Sequence, residues 1–151
     1  MFSRQQPSPG AGLYDSALVQ PMRDEVTRLG VIELKTPAEV EAAVQKKGTA
    51  LVFVNSVCGC AAAGARPGLT LALTHKNRPE HLFTVFAGME REAVAQAREH
   101  FKPYQPSSPQ IAILKDGKIV FMMQRHDIEG RDPQTVAAGL AKAFDEHCKK
   151  T

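Results

Sequence analysis

The chain has 151 residues, 43% hydrophobic and 23% charged, which fits one packed domain and excludes both a disordered chain and a fibrous one. Nineteen Lys and Arg against sixteen Asp and Glu leave a net charge of +3 with the signs interspersed, and seven Phe, two Tyr and no Trp offer little for a base-stacking surface, so nucleic acid is not an expected partner. No stretch approaches the roughly 20 apolar residues of a membrane span, and MFSRQQPSPGAG holds no apolar block of the secretory kind, so the reading is a cytoplasmic protein with no membrane partner.

Residues 1–15, rich in Ser, Pro, Gly and Gln, read as a flexible leader without chemistry, and residues 16–151 as a single domain. Pro21 to Leu29 predicts a short helix with Met22, Val26 and Leu29 on one face and Gly30 as its stop. Val31 to Leu34 suits a strand, and Thr36-Pro37-Ala38-Glu39 is a capping box opening a helix that turns Val40, Ala43 and Val44 inward and ends at Gly48. Ala50 to Val54 is unbroken apolar sequence, the mark of a strand covered on both faces. It runs through Asn55-Ser56-Val57 into Cys58-Gly59-Cys60 and then AAAGARPGLTLAL, a helix that Gly64, Pro67 and Gly68 must kink or split.

Further strands are expected at His81 to Phe86, Gln110 to Leu114 and Ile119 to Met123, the last two joined by an Asp-Gly turn into a hairpin. Further helices are expected at Arg91 to Phe101 and from Asp132-Pro133 to about Cys148. Helices alternating with strands, closed by a hairpin and a helix, predict an α/β fold: a central mixed β-sheet flanked by helices on both faces.

The cysteines number three, Cys58, Cys60 and Cys148, too few for a secreted disulfide framework, and clustered thiols in a reducing compartment point to redox chemistry or metal. Only a thiolate attacks a disulfide, and a helix N-terminus favours the anion, which singles out Cys58 as nucleophile and Cys60 as its partner. Residues two apart on a helix diverge, since each turns the chain by about 100°, so the sulfurs meet only if Cys58 stands at or before the first turn; Gly59 gives the backbone freedom for that. A disulfide across one residue closes a small, strained ring, better suited to exchange or isomerisation than to terminal reduction. Two other readings stay open. The cysteines are small buried residues of an Ala-rich helix start, or they are ligands, with Cys148 or a His, of copper or zinc in a metal- or partner-binding module without turnover.

Ser108-Pro109 precedes a strand, where Pro belongs at the edge because it cannot donate to the ladder, and the bond is either an ordinary trans one or cis. A strand ending in a cysteine pair at a helix start, a later helical Pro and a Pro before a hairpin together resemble the thioredoxin fold. Pro109 then falls where that fold carries a cis-proline facing the reactive cysteine. More narrowly, VNSVCGCAAAGARPG, with PMRDEVTRLG upstream and SPQIAILKDGKIVFMMQRHDIEG downstream, resembles the bacilliredoxin family from about residue 13 onward. Ala63 departs from the glycine expected there.

The resemblance implies exchange on bacillithiol mixed disulfides: Cys58 takes bacillithiol from a modified client protein, and Cys60 resolves the adduct. It implies no metal or organic cofactor, with bacillithiol as thiol co-substrate, S-bacillithiolated or disulfide-bearing clients as partners, and isomerase activity in some members. Bacillithiol carries a glucosamine and a malate, so a basic rim suits its carboxylates; Arg66 and Arg125 are the candidates, against the plainer reading of solvated surface charges. Ser108 and Pro109 would shape the groove, and His126 would shuttle protons near Cys58 or is simply exposed. Cys148 is a spare resolving thiol or a cysteine packed on the sheet.

Overall fold

A computed structural model describes residues 12–149. Helix α1 (Ser16–Thr27) leads to strand β1 (Ile32–Glu33), helix α2 (Pro37–Val44) and strand β2 (Thr49–Asn55). A π-helical turn (Ala61–Ala65) then runs into α3 (Arg66–Ala72), followed by β3 (His81–Phe86), α4 (Arg91–Glu99), the hairpin β4 (Gln110–Lys115) and β5 (Lys118–Met123), the short α5 (Arg125–Ile128) and α6 (Pro133–His147). The sheet order is β1-β3-β2-β4-β5, with β3 parallel to β1 and β2, and β4 antiparallel to β2 and β5. The expected mixed sheet is therefore present, with β2 at its centre.

Alternation along β2 builds two cores. Leu51 and Phe53 face one layer with Val26 of α1, Leu69 of α3 and Leu140 and Phe144 of α6. Ala50, Val52 and Val54 face the other with Val40 and Val44 of α2 and Val94 and Ala97 of α4. Both faces are covered, as the unbroken apolar run requires.

Three expectations change. Helix α1 starts five residues before Pro21, because Asp15 caps it by accepting from the Ala17 N–H at 2.8 Å; Pro21 sits inside the helix on its exposed side. The third helical segment is divided, as the sequence requires, but at a π-helical turn that holds Gly64 and not at Pro67. A wide turn, in which the Arg66 N–H reaches the Ala61 carbonyl, precedes α3 and leaves Pro67 in the first turn, where a missing donor costs little. Gly68 serves close packing, since a Cβ there would lie 2.5 Å from Val136 Cγ1 of α6. Helix α5 was not foreseen; Gln124 and Asp127 form its reciprocal cap. Of the expected leader, residues 1–11 lie outside the described residues. Leu13 is already fixed to the body, its N–H donating to the Gly88 carbonyl at 2.6 Å.

Phe144 is fully buried between α6 and the sheet, so Phe144→Ala should cost about 3–5 kcal/mol. In urea the unfolding midpoint should fall with the slope unchanged; an unmoved midpoint would mean this core does not hold the domain together.

Candidate active site

Sheet register assembles the site. Asn55 at the end of β2 pairs with Phe86 at the end of β3, and Val54 pairs with Gln110 at the start of β4, while Ile111 pairs with Met123 at the end of β5. The segments that follow or precede these residues therefore meet at one sheet end: Ser56–Cys58, Ala87–Gly88, Ser108–Pro109 and Gln124–Arg125. They line an open cleft of about 340 Å³ whose wall consists of Tyr14, Ser56, Val57, Cys58, Ala87, Gly88, Ser108 and Arg125. The Ser108–Pro109 bond is cis and Pro109 is buried.

The turn carrying the thiols is held from beneath. Arg66 is 3% exposed; its Nη1 donates to Asn55 Oδ1 at 3.0 Å and to the Ser56 carbonyl at 2.8 Å, and its Nε pairs with Glu25 at 2.9 Å. Asn55 donates to the Met22 carbonyl and accepts from the Ser56 N–H, and Ser56 Oγ accepts from the Cys58 N–H at 3.1 Å. Cys58 stands just ahead of the helix, its carbonyl accepting from the Ala61 and Ala62 N–H groups at 3.0 and 3.2 Å. The two sulfurs thereby meet, as the spacing argument demanded: Cys58 Sγ and Cys60 Sγ are 2.8 Å apart and both thiols are free.

The pair is electrostatically unequal. Burial opposes ionisation of Cys58, but the hydrogen bond from the Cys60 thiol, the Cys60 and Ala61 backbone N–H groups and the Arg125 charge outweigh it, so its thiol ionises more readily than a free cysteine. For Cys60, burial, its hydrogen bond to Cys58 and the repulsion of the Cys58 anion all hold the proton on, and Arg125 only partly offsets them. The arrangement favours an anion on Cys58, with the Cys60 thiol as its hydrogen-bond donor.

Arg125 is placed by a polar network. Gln124 accepts from Ser107 Oγ at 2.7 Å and Gln110 Nε2 at 2.9 Å and donates to the Gln105 carbonyl at 2.9 Å, while Ser107 Oγ also accepts from the Arg125 N–H. Arg98 adds a hydrogen bond to the Ser107 carbonyl at 2.8 Å. The loop before the cis bond and the residue whose charge reaches the thiols are thus tied to each other.

Cys58, Ser108 and Arg125 line the cleft, with Cys60 behind Cys58. Arg66 corrects the expectation of a basic rim: it is a buried strut, neither a ligand-facing cation nor a solvated charge. His126 is also not brought into the cleft, because one residue along α5 rotates it by about 100° from Arg125, and its side chain is 81% exposed. Gly59 is exposed, its φ is not positive, and a Cβ there would meet nothing within 4 Å, so the expected backbone freedom is not what this site uses. Cys148 cannot join the pair as a third metal ligand. It is buried beside Thr49 at the opposite end of β2, roughly 20 Å away for a strand of seven residues. Tyr14 and Gln124 escaped the sequence reading: only the folded chain brings Tyr14 into the Cys58 cleft and Gln124 onto Ser107 and Gln110.

Solved thioredoxins have this fold. Mitochondrial thioredoxin 3 from Saccharomyces cerevisiae matches with a TM-score of 0.52 at 14% identity, over 81% of this chain and 98% of that one. The fold defines the class: a thioredoxin-fold protein with a pair of adjacent free thiols at its sheet end. Residues 14–148 match the family described as "Disulphide isomerase". A bacilliredoxin of Bacillus thuringiensis subsp. konkukian is 51% identical over 88% of this chain and 92% of its own length, and one of Cytophaga hutchinsonii is 50% identical over 89% and 99%. The chain belongs to the bacilliredoxin family.

Alkylation by iodoacetamide follows the thiolate, so its rate climbs as pH rises through the Cys58 pKa. The depressed pKa places that climb at lower pH than for free cysteine. Arg125→Gln and Cys60→Ala each remove a stabiliser of the anion, so each should move the midpoint to higher pH; a midpoint unmoved by Arg125→Gln would show that its charge is not felt at the sulfur.

Proposed function

We propose that this protein removes bacillithiol from mixed disulfides on client proteins in the cytoplasm, with Cys58 as nucleophile and Cys60 as resolver. The observation that supports the reading is the pair of sulfurs 2.8 Å apart at one cleft, Cys58 in its wall and inclined to ionise first, Cys60 behind it and inclined to keep its proton. In the first step Cys58 thiolate attacks the bacillithiol sulfur; the client sulfur leaves as thiolate and takes up a proton from water. The new bond joins Cys58 to bacillithiol.

In the second step the Cys60 thiol loses its proton and attacks Cys58 Sγ. Bacillithiol leaves as thiolate and the Cys58–Cys60 disulfide forms, so the two electrons that reduced the client mixed disulfide have come from the pair. Thiols in excess, bacillithiol among them, return the pair to the dithiol by the reverse exchange chemistry. Once the Cys58 anion is spent in the mixed disulfide, the repulsion that held the Cys60 proton on is gone, so the second thiol ionises more easily when it is needed. Attack of the same thiolate on a protein disulfide gives a client mixed disulfide instead, the first step of isomerisation. No step requires a metal or an organic cofactor.

Cys58→Ser should abolish release of bacillithiol from an S-bacillithiolated client, followed by mass spectrometry of the client. Cys60→Ser should accumulate a Cys58–bacillithiol adduct. Release at the wild-type rate by Cys58→Ser would overturn the assignment of the nucleophile, and absence of the adduct in Cys60→Ser would remove Cys60 from the required steps.

A further inference from the structure

Tyr14 stands in the wall of the Cys58 cleft, although it belongs to the segment before the first helix. Its position is fixed from both sides. Upstream, the Leu13 N–H is bonded to the Gly88 carbonyl at 2.6 Å, and Gly12 lies so close to Met89 that a Cβ would fall 2.5 Å from its Sδ. Downstream, Asp15 caps α1. The ring itself packs on the backbone of Gly88, whose φ of +85° suits glycine and whose hydrogen faces Tyr14 Cε2 where a Cβ would come within 2.7 Å. A fixed aromatic ring beside a nucleophile costs little further entropy when a ligand lies on it.

What surrounds the ring indicates what it meets. The cleft offers hydroxyls at Ser56 and Ser108, the guanidinium of Arg125, and only Val57 and Ala87 as apolar side chains. Arg125 has Glu129 at 3.6 Å, an exposed pair that holds it weakly and leaves it available to a carboxylate. Among the described residues nothing is bonded to the Tyr14 hydroxyl, and the residue is 38% exposed. An aromatic face with a free phenol, flanked by hydroxyls and a cation, suits a hydroxylated ring bearing a carboxylate; a large apolar peptide side chain would find little to bury against. At about 340 Å³ the cleft stands at the small end of small-molecule sites, which run from roughly 300 to 1,000 Å³.

We propose that Tyr14 is a specificity-determining residue: it recognises the sugar ring of the low-molecular-weight thiol, so the protein prefers sugar-bearing thiol adducts over ring-less ones. The inference rests on the exchange reaction of the preceding section and names the part of the substrate that the cleft reads. Among the described residues Tyr14 makes no hydrogen bond to Cys58, Cys60 or Arg125; its proposed work is done on the substrate, before any bond is broken.

The test uses one client protein prepared in two forms, S-bacillithiolated and S-cysteinylated, so that the nucleophile and the client sulfur are the same and only the sugar and malate differ. For Tyr14→Ala, the ratio of kcat/KM between the two forms should fall about tenfold, carried mainly in KM for the bacillithiolated form, with the pH midpoint of Cys58 alkylation at its wild-type place. Tyr14→Phe, which keeps the ring and removes the hydroxyl, should lose less. Gly88→Val, which displaces the ring without touching it chemically, should reproduce the loss of selectivity. A ratio held by Tyr14→Ala, or a shifted alkylation midpoint accounting for its loss, would overturn the proposal. If instead the wild-type protein does not act on the bacillithiolated client at all, the exchange reading fails first, and the two failures are thereby told apart.

Discussion

Arg66 lies in the core with its guanidinium bonded to Asn55 Oδ1, the Ser56 carbonyl and Glu25, and the geometry of the thiol turn hangs from those bonds. A charge taken out of water is costly unless every donor finds a partner, and a buried pair with one member removed loses about 3–5 kcal/mol because the remaining charge is stranded. That penalty makes the arrangement rigid. The last residue of the central strand cannot drift without breaking a bond to a buried cation. Ser56, held through Asn55 and Arg66, in turn fixes the Cys58 N–H. The sulfur is positioned by the core, through three side chains, before any substrate arrives.

Rigidity below allows inequality above. Two thiols in identical settings would share the first ionisation equally, and repulsion between the anions would push the second to higher pH. Here one sulfur receives backbone N–H groups and a hydrogen bond while the other gives that hydrogen bond away, so the first proton leaves one site preferentially. The same asymmetry orders the reaction in time. Cys60 holds its proton more tightly while Cys58 is an anion, and in the proposed exchange becomes easier to ionise once Cys58 has bonded. Arg125 favours the anion on either sulfur, so its contribution is not spent on the first step alone.

The architecture was largely legible because burial imposes periodicity. Val40, Ala43 and Val44, the apolar run of β2, and the Asp-Gly turn at Asp116 and Gly117, both with positive φ, each follow from local rules that hold in any context. The meeting of Cys58 and Cys60 was legible for the same reason: a strand-to-helix turn and a two-residue offset are local facts. What escaped depends on contacts between distant segments. Arg66 and Arg125 look alike in the sequence, yet one is buried against Glu25 and the other is half-exposed beside the thiols; only the path of α3 under the sheet distinguishes them. Arg23 is a similar case, closing on Glu33 and Glu90 at 2.7 Å from positions far apart in the chain. Composition marked the first residues as a leader, but composition does not see that Gly12 and Gly88 leave the gap into which Leu13 and Tyr14 fit.

On the proposal made for Tyr14, ionisation and recognition are carried by different parts of the chain. The thiolate depends on β2, the π-helical turn and the residue after β5, all anchored in the core. The wall holding Tyr14 depends on a short segment ahead of α1 that touches the site only through the Gly88 turn. Substitutions in that segment can change which adduct is favoured without disturbing the buried bonds that hold the sulfur, because no hydrogen bond links Tyr14 to the Arg66 network among the described residues. Burial, the Cys60 thiol, the Cys60 and Ala61 backbone N–H groups and the Arg125 charge set how readily Cys58 ionises, and among the described residues no hydrogen bond from the strap reaches any of these groups.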